Sequence, residues 1–317
     1  MEVDYVKTLD HYVLEALDHI EPGTPDVSLP ESEDTIVTGS QSGFFTGRII
    51  HRFSGRTYVA EMEQQVQHQI DTRSELWEKR HVRGDVTIVS ATGSRNVVPI
   101  AGYALDKGLP VNLVVCKPDS EMVRMFGRHV KEILIPAPEE PATINTASYG
   151  SMIHALAHKG KKEDVARIRG IVKSLPRPFG GYGCFNQYFW IFPDTMPEVA
   201  DMVEWKMLAE IFGTDIGSIS RYRTRLMHGA GIHDSPHKLY ISVGVKDDIF
   251  GPPERRHHVE LPDDLGPLGY LMVGYTIVGQ MQRDMGDIRG YPFAERLPGY
   301  VQRARGWKWD SPIGPQS

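Results

Sequence analysis

Two apolar strands, each running into a turn dense in glycine and hydroxyl side chains and then into a helix, constrain this chain more than any other feature. The first reads Thr35-Ile36-Val37-Thr38 and continues as Gly39-Ser40-Gln41-Ser42-Gly43. The second reads Thr87-Ile88-Val89-Ser90 and continues as Ala91-Thr92-Gly93-Ser94-Arg95. Short apolar runs bounded by turn residues are buried strands, and strands alternating with helical segments imply parallel βαβ units.

The pattern extends on both sides of these units. Residues 3–18 carry apolar side chains at helical spacing, and a Pro- and acid-rich loop leads to the first strand. Strands are expected at 35–38, 56–62, 85–90, 109–115 and 132–136. Helices are expected through His51 and at 63–82, 96–107 and 119–128. About five strands in the first 140 residues make a doubly wound α/β domain. Beyond it, 145–175 reads as mostly helical, and the Pro- and Gly-rich run 176–183 as a breaker. Strands at 188–192 and 238–243, a short extended piece at 259–262, and helices at 197–212 and 268–282 form a less regular second copy. With 317 residues, about two domains are expected, here 1–155 and 156–317. The fold class is therefore α/β, two doubly wound domains with parallel sheets flanked by helices.

The two turns suggest a ligand. Small residues let the backbone approach closely, and a helix N-terminus favours an anion. Ser40, Ser42, Ser90, Thr92 and Ser94 add hydroxyls, and Arg95 adds a guanidinium suited to phosphate, sulfonate or carboxylate. The glycine patterns of dinucleotide and nucleoside-triphosphate loops are absent, although Glu61 follows Gly39 at close to the spacing of a ribose-binding acid. The net charge of −6 recruits neither nucleic acid nor an anionic membrane. The longest apolar runs fall short of the ~18 residues of a membrane span. The acidic, amphipathic N-terminus has no signal-peptide pattern. Cys116 and Cys184 are the only cysteines, which fits a reducing cytoplasm.

These turns resemble those of the sugar isomerase (SIS) domain family, in which a strand enters a G-[TS]-S loop and the next βα unit carries S-x-S-G-x-T. Here the matching residues are Gly39-Ser40-Gln41-Ser42 and Ser90-Ala91-Thr92-Gly93-Ser94, with Arg95 where the family has threonine. The second half is similar to that of double-SIS enzymes such as phosphoglucose/phosphomannose isomerase and the isomerase half of glucosamine-6-phosphate synthase. The helix around Glu204 and Glu210 and the loop Met227-His228-Gly229-Ala230 correspond to their glutamate helix and histidine loop. The resemblance implies a sugar-phosphate aldose–ketose isomerase working through a cis-enediolate, with no metal or other cofactor. It also admits an amino-sugar C–N bond enzyme (deaminase, deglycase or aminotransferase-type isomerase) or a non-catalytic sugar-phosphate sensor.

Glu210 lies beside an apolar helical stripe, where desolvation favours a proton-accepting carboxylate near neutrality. It is the expected base, with Glu204 next. His228, in a loop with Arg221, Arg223 and Arg225, is expected to assist ring opening. Glu61 and Glu63 either line the first site or cap a helix. His228, His233 and His237 have no standard zinc spacing, so no metal is expected. His257-His258 reads as a solvated loop. The apolar helix 268–282 suggests core or a homodimer interface.

Overall fold

The computed structural model describes residues 7–63, 65–93, 96–141, 144–212, 235–246 and 248–285. Among these, the chain divides into two compact units. One holds Pro22–Glu139 and Ser148–Lys162. The other holds residues up to Glu21, Glu140–Ala147 and those from Glu163 onward.

The first unit is an α/β layer structure. Its strands are β1 (Asp34–Gly39), β2 (Tyr58–Ala60), β3 (Gly84–Val89), β4 (Val111–Val115) and β5 (Val130–Leu134). They form one parallel sheet in the order β2-β1-β3-β4-β5. The helices between them are α2 (Ser42–Ser54), α3 (Val66–Arg80), α4 (Val98–Asp106) and α5 (Glu121–Phe126). Ile36, Val86, Ile88 and Leu113 meet Val66, Ile70, Trp77, Ile100, Ala104 and Met122 in one buried core. Strands buried on both faces have no solvent side, which is why they read as continuous apolar runs. Gly47 of α2 packs on Val37 and Val89, on the opposite face of the sheet from that core.

The expected elements are present, with shifted ends. The edge strand spans 58–60 rather than 56–62. Arg56, expected within it, donates instead to the carbonyls of Leu29 and Pro30. The last strand runs 130–134, and the expected 119–128 helix shortens to α5 followed by a 3₁₀ turn at Gly127–His129. In the helical run after the sheet, α6 (Thr146–Leu156) and α7 (Val165–Lys173) are separate elements.

The second unit has a three-stranded parallel sheet of β6 (Gln187–Ile191), β7 (Lys238–Val243) and β8 (Arg256–Val259), in that order. Strand β8 corrects the reading of His257-His258 as a solvated loop. His257 is buried, edge-on to Tyr182 with ring centroids 5.7 Å apart, while His258 accepts or donates a 3.0 Å bond with Ser242. The N-terminal helix α1 covers Leu9–Ile20 and ends two residues beyond the expected 3–18; residues 3–6 of that expectation lie outside the described residues. Helix α8 (Pro197–Trp205) passes into a π-helical segment, Lys206–Phe212, within the expected 197–212 helix. The apolar helix is α9 (Pro267–Met285), and α1, α7 and α8 all pack against it. Leu268, Leu271, Met272, Val273, Ile277, Val278 and Met281 are fully buried within this single chain. Its apolarity is therefore satisfied by the core. No helix among the described residues is long and apolar enough to cross a membrane.

Candidate functional site

The chain leaves β1 for β2 on one side and comes back to β3 on the other, so the crevice between β1 and β3 is a topological switch point. In open α/β sheets, ligands bind in that crevice at the carboxyl ends of the strands. Gly39 pairs in register with Val89, so the two hydroxyl-bearing turns leave adjacent strands at the same level.

Local packing forces small residues here. A Cβ on Gly39 or on Gly43 would lie closer than 3.0 Å to the Val89 carbonyl oxygen. Only glycine lets the first turn of α2 seat against the end of β3. Gln41 adopts φ +49°, ψ −118°, a left-handed conformation that a non-glycine residue takes at a cost. The turn is held by Gly43 N donating to the Ser40 carbonyl at 2.9 Å and Phe44 N donating to that of Gln41 at 3.0 Å. Ser42 is buried, Ser40 half-buried and Gln41 exposed. The N-terminus of the 13-residue α2 thus opens at the crevice, with its positive dipole end there.

In the second turn the Ser90 Oγ accepts from Gly93 N at 3.1 Å, which shapes the loop. Gly93 has φ +58°, and a Cβ there would come within 2.6 Å of Ser120 Cβ. Ser90 is buried and Thr92 exposed. Ser94 and Arg95 lie outside the described residues. Ser120, on the third turn, was not singled out by the sequence; its Oγ caps α5 by accepting from Val123 N at 3.3 Å. The signal was present as an Asp-Ser pair before a helical run.

At the carboxyl end of β2, Glu61 N donates to the Val37 carbonyl at 3.1 Å. Gln65, which precedes α3, makes no side-chain cap, while Glu61 Oε1 accepts from Met62 N at 3.2 Å in the turn that leads into that helix. Glu63 keeps a buried Oε2 without a hydrogen-bond partner among the described residues, and burial raises its carboxyl above the usual range.

Glu210 belongs to the second unit and is buried, in the π-helical segment. The sequence placed it beside apolar neighbours; the structure adds a charged one. Lys206 Nζ is bonded to Glu210 Oε2, and Trp205 Nε1 donates to Oε1 at 3.2 Å. Lys206 is itself fully buried, donates to the Ile144 carbonyl at 2.8 Å, and lies 5.4 Å from the centre of the Tyr275 ring. Both carboxylate oxygens of Glu210 are therefore engaged. Glu204, the second candidate base, is on α8. His228, His233 and the arginines around them lie outside the described residues.

No family model and no curated protein matches the chain. Solved structures do. Tagatose-6-phosphate ketose/aldose isomerase from Escherichia coli aligns over 90% of this chain and 91% of its own, at 14% identity and TM-score 0.58. The C-terminal domain of glucosamine-fructose-6-phosphate aminotransferase from Francisella tularensis covers 89% of each chain at 9% identity and TM-score 0.58. Glucosamine-6-phosphate deaminase from Thermotoga maritima covers 87% of this chain and 91% of its own, at 10% identity and TM-score 0.54. The chain has the sugar isomerase (SIS) fold. At these identities the likeness concerns the fold. The SIS fold here places the β1 and β3 turns side by side.

Proposed function

We propose that this protein binds a sugar phosphate at the carboxyl edge of the five-stranded sheet and interconverts its aldose and ketose forms. The observation that carries this reading is the register of Gly39 with Val89, which sets two hydroxyl-bearing turns and the α2 N-terminus at one switch point. Ser40, Ser42, Ser90, Thr92 and Ser94, with Arg95, would hold the phosphate. Solved structures of the same fold bear the names of enzymes acting on tagatose 6-phosphate and glucosamine 6-phosphate.

The chemistry moves one carbon-bound proton. A base takes it from C2 of the aldose, leaving a cis-enediolate, and returns it to C1 while the oxygens exchange their proton. Glu210 is the proposed base and His228 the proposed acid for ring opening. Oriented N–H groups offset the developing negative charge. We include a homodimer in the proposal, without α9 as its support, since that helix is covered by its own chain. A cytoplasmic setting suits Cys116 and Cys184, neither of which is in a disulfide.

One observation favours a second reading. Lys206 and Trp205 occupy both oxygens of Glu210, as suits a structural carboxylate in a sugar-phosphate sensor. The deciding experiment incubates the protein with hexose and pentose phosphates in deuterated water and follows the C2 proton by NMR. Exchange with ketose formation supports the isomerase. Ammonia release from amino-sugar phosphates selects the C–N bond enzyme. Saturable binding without exchange selects the sensor, and no binding of any sugar phosphate removes the proposal.

A further inference from the structure

One proton of the proposed reaction travels between carbons and a second between oxygens. Glu210 is the proposed carrier of the first. A carrier for the second has to lie at the carboxyl edge of the sheet, hold a proton, and be committed to no structural bond.

Glu63 meets these conditions. Val37 pairs with Ala60, and Glu61 N donates to the Val37 carbonyl, which extends the β1–β2 ladder by one residue at the carboxyl edge. In the turn that follows, Gln65 N and Val66 N both donate to the Met62 carbonyl at 3.0 Å. Glu63 therefore sits between the end of β2 and α3, beside the strand that leads into the Gly39–Gly43 turn. Neighbouring strands are about 4.8 Å apart, so the end of β2 is about 7 Å from the middle of the β1–β3 crevice. A hexose or pentose phosphate held in the crevice by its phosphate has the length to reach it.

Carboxylates that hold this fold together are engaged by donors. Asp34 Oδ2 accepts from Arg73 Nη1 at 2.8 Å and from Trp77 Nε1 at 2.9 Å. Glu163 accepts from three backbone amides, and Glu61 Oε1 from Met62 N. Glu63 differs. The side chain is half-buried, and its Oε2 is buried without a hydrogen-bond partner among the described residues. Burial is what raises its carboxyl above the usual range. Such a carboxyl gains and loses a proton without breaking a structural bond, and the shift brings it closer to neutrality, where proton transfer is most effective.

We propose that Glu63 is a catalytic residue of the isomerisation, the carboxylate that carries the proton from O2 to O1 of the sugar. The assignment rests on the sugar-phosphate isomerase reading. In the aldose direction the base removes the C2 proton and leaves the negative charge on O1. Glu63 accepts the O2 proton and delivers it to O1, which moves the charge to O2. The C2–O2 bond then becomes the ketone carbonyl as C1 takes up the carbon-bound proton. Glu63 ends as the carboxylate it began as.

The test uses the whole chain with hexose and pentose phosphates in deuterated water. Two quantities are followed: deuterium entering C2 of the recovered aldose, and ketose formed. Without the transfer between oxygens the enediolate returns to aldose. Glu63→Gln should therefore lower ketose formation about 10²-fold or more, while C2 exchange falls by less than about tenfold. Glu63→Asp, which keeps a carboxylate, should raise the ratio of exchange to ketose by less, and it carries the same comparison if Glu63→Gln lacks native circular dichroism. A structural role would lower both quantities together. A ratio equal to that of the wild type in a folded Glu63 variant overturns the proposal, whether both quantities fall or neither does. A wild-type chain that neither exchanges nor converts any of these sugar phosphates overturns the isomerase reading itself, and the assignment of Glu63 with it.

Discussion

Gly43 on the first turn of α2 is pressed against the Val89 carbonyl at the end of β3, with no room between them for a Cβ. The contact brings the N-terminus of α2 onto the neighbouring strand and so fixes the mouth of the switch point. Gly43→Ala should therefore act twice. Overpacking against backbone should cost about 1–3 kcal/mol of stability, read by denaturant unfolding. Phosphate-ester affinity should fall as well, because the helix N-terminus is displaced. An alanine variant with unchanged stability and affinity would show that the contact is soft and the crevice is not set by it.

The hydroxyls of the second turn have separable roles. Ser90 Oγ holds Gly93 N, so Ser90→Ala should lower stability by about 1 kcal/mol and also weaken binding. Thr92 is exposed, so Thr92→Val should leave the melting temperature alone and weaken sugar-phosphate binding about tenfold. Equal effects of the two substitutions on affinity and on stability would contradict this division.

What the sequence disclosed follows from how local each signal is. Strand β7 has the ends expected of it, 238–243, because its apolar run is bounded by a polar loop and a glycine. The paired turns were legible for the same reason: glycine and serine after a strand state their chemistry locally. Edge strand β2 was overextended because Arg56 leaves the strand for the carbonyls of Leu29 and Pro30, a tertiary choice. Among the described residues, Ser120 meets the site at Gly93, across two βα units. The burial of Lys206 was invisible. A lysine four residues before a glutamate normally marks a solvated face, and here both are inside.

Glu163 shows how a buried carboxylate can be structural. Its Oε1 accepts from Leu268 N at 2.7 Å, and its Oε2 from Gly266 N and Gly269 N at 2.9 and 3.1 Å. Three orphan donors at the start of α9 are satisfied by one side chain. Glu163→Ala should cost about 2–4 kcal/mol in thermal or urea unfolding, since those donors would be buried unpaired. Glu163→Gln keeps one acceptor oxygen and should fall between. A melting temperature unmoved by Glu163→Ala would mean that water replaces the carboxylate.

Two histidines should make the fold acid-sensitive. Burial lowers His51 from the ordinary 6.5 to about 4, and burial likewise lowers His257 from 6.5 to about 4. In the unfolded chain each takes a proton near pH 6.5; in the folded chain each stays neutral until about pH 4. The unfolded state thus binds more protons in that window, and stability falls as pH drops through it. The loss is on the order of 3 kcal/mol per histidine. Glu163, raised by burial, works in the other direction, so single variants are needed. His51→Gln and His257→Gln should each flatten the slope of unfolding free energy between pH 6.5 and 4. A slope that neither substitution changes would assign the acid sensitivity to other groups.

Glu210 and Lys206 form a buried pair whose two halves test function and stability separately. Removing one partner leaves the other charge buried, so Lys206→Met should cost about 3–5 kcal/mol. Lys206→Met/Glu210→Leu, which removes both charges, should recover much of that loss in the same unfolding assay. Activity distinguishes the two readings of the carboxylate. As a base, Glu210→Gln should cut C2 proton exchange by about 10²–10⁴ with substrate affinity retained, because the phosphate-holding turns are untouched. Its effect on kcat should then exceed anything its stability change explains, and lowering the temperature should not restore it. As a purely structural carboxylate, Glu210→Gln should lower the melting temperature and leave exchange per folded molecule at the wild-type rate. Full exchange in a folded Glu210→Gln protein would move the search for the base to Glu204, on the helix that leads into the π-helical segment.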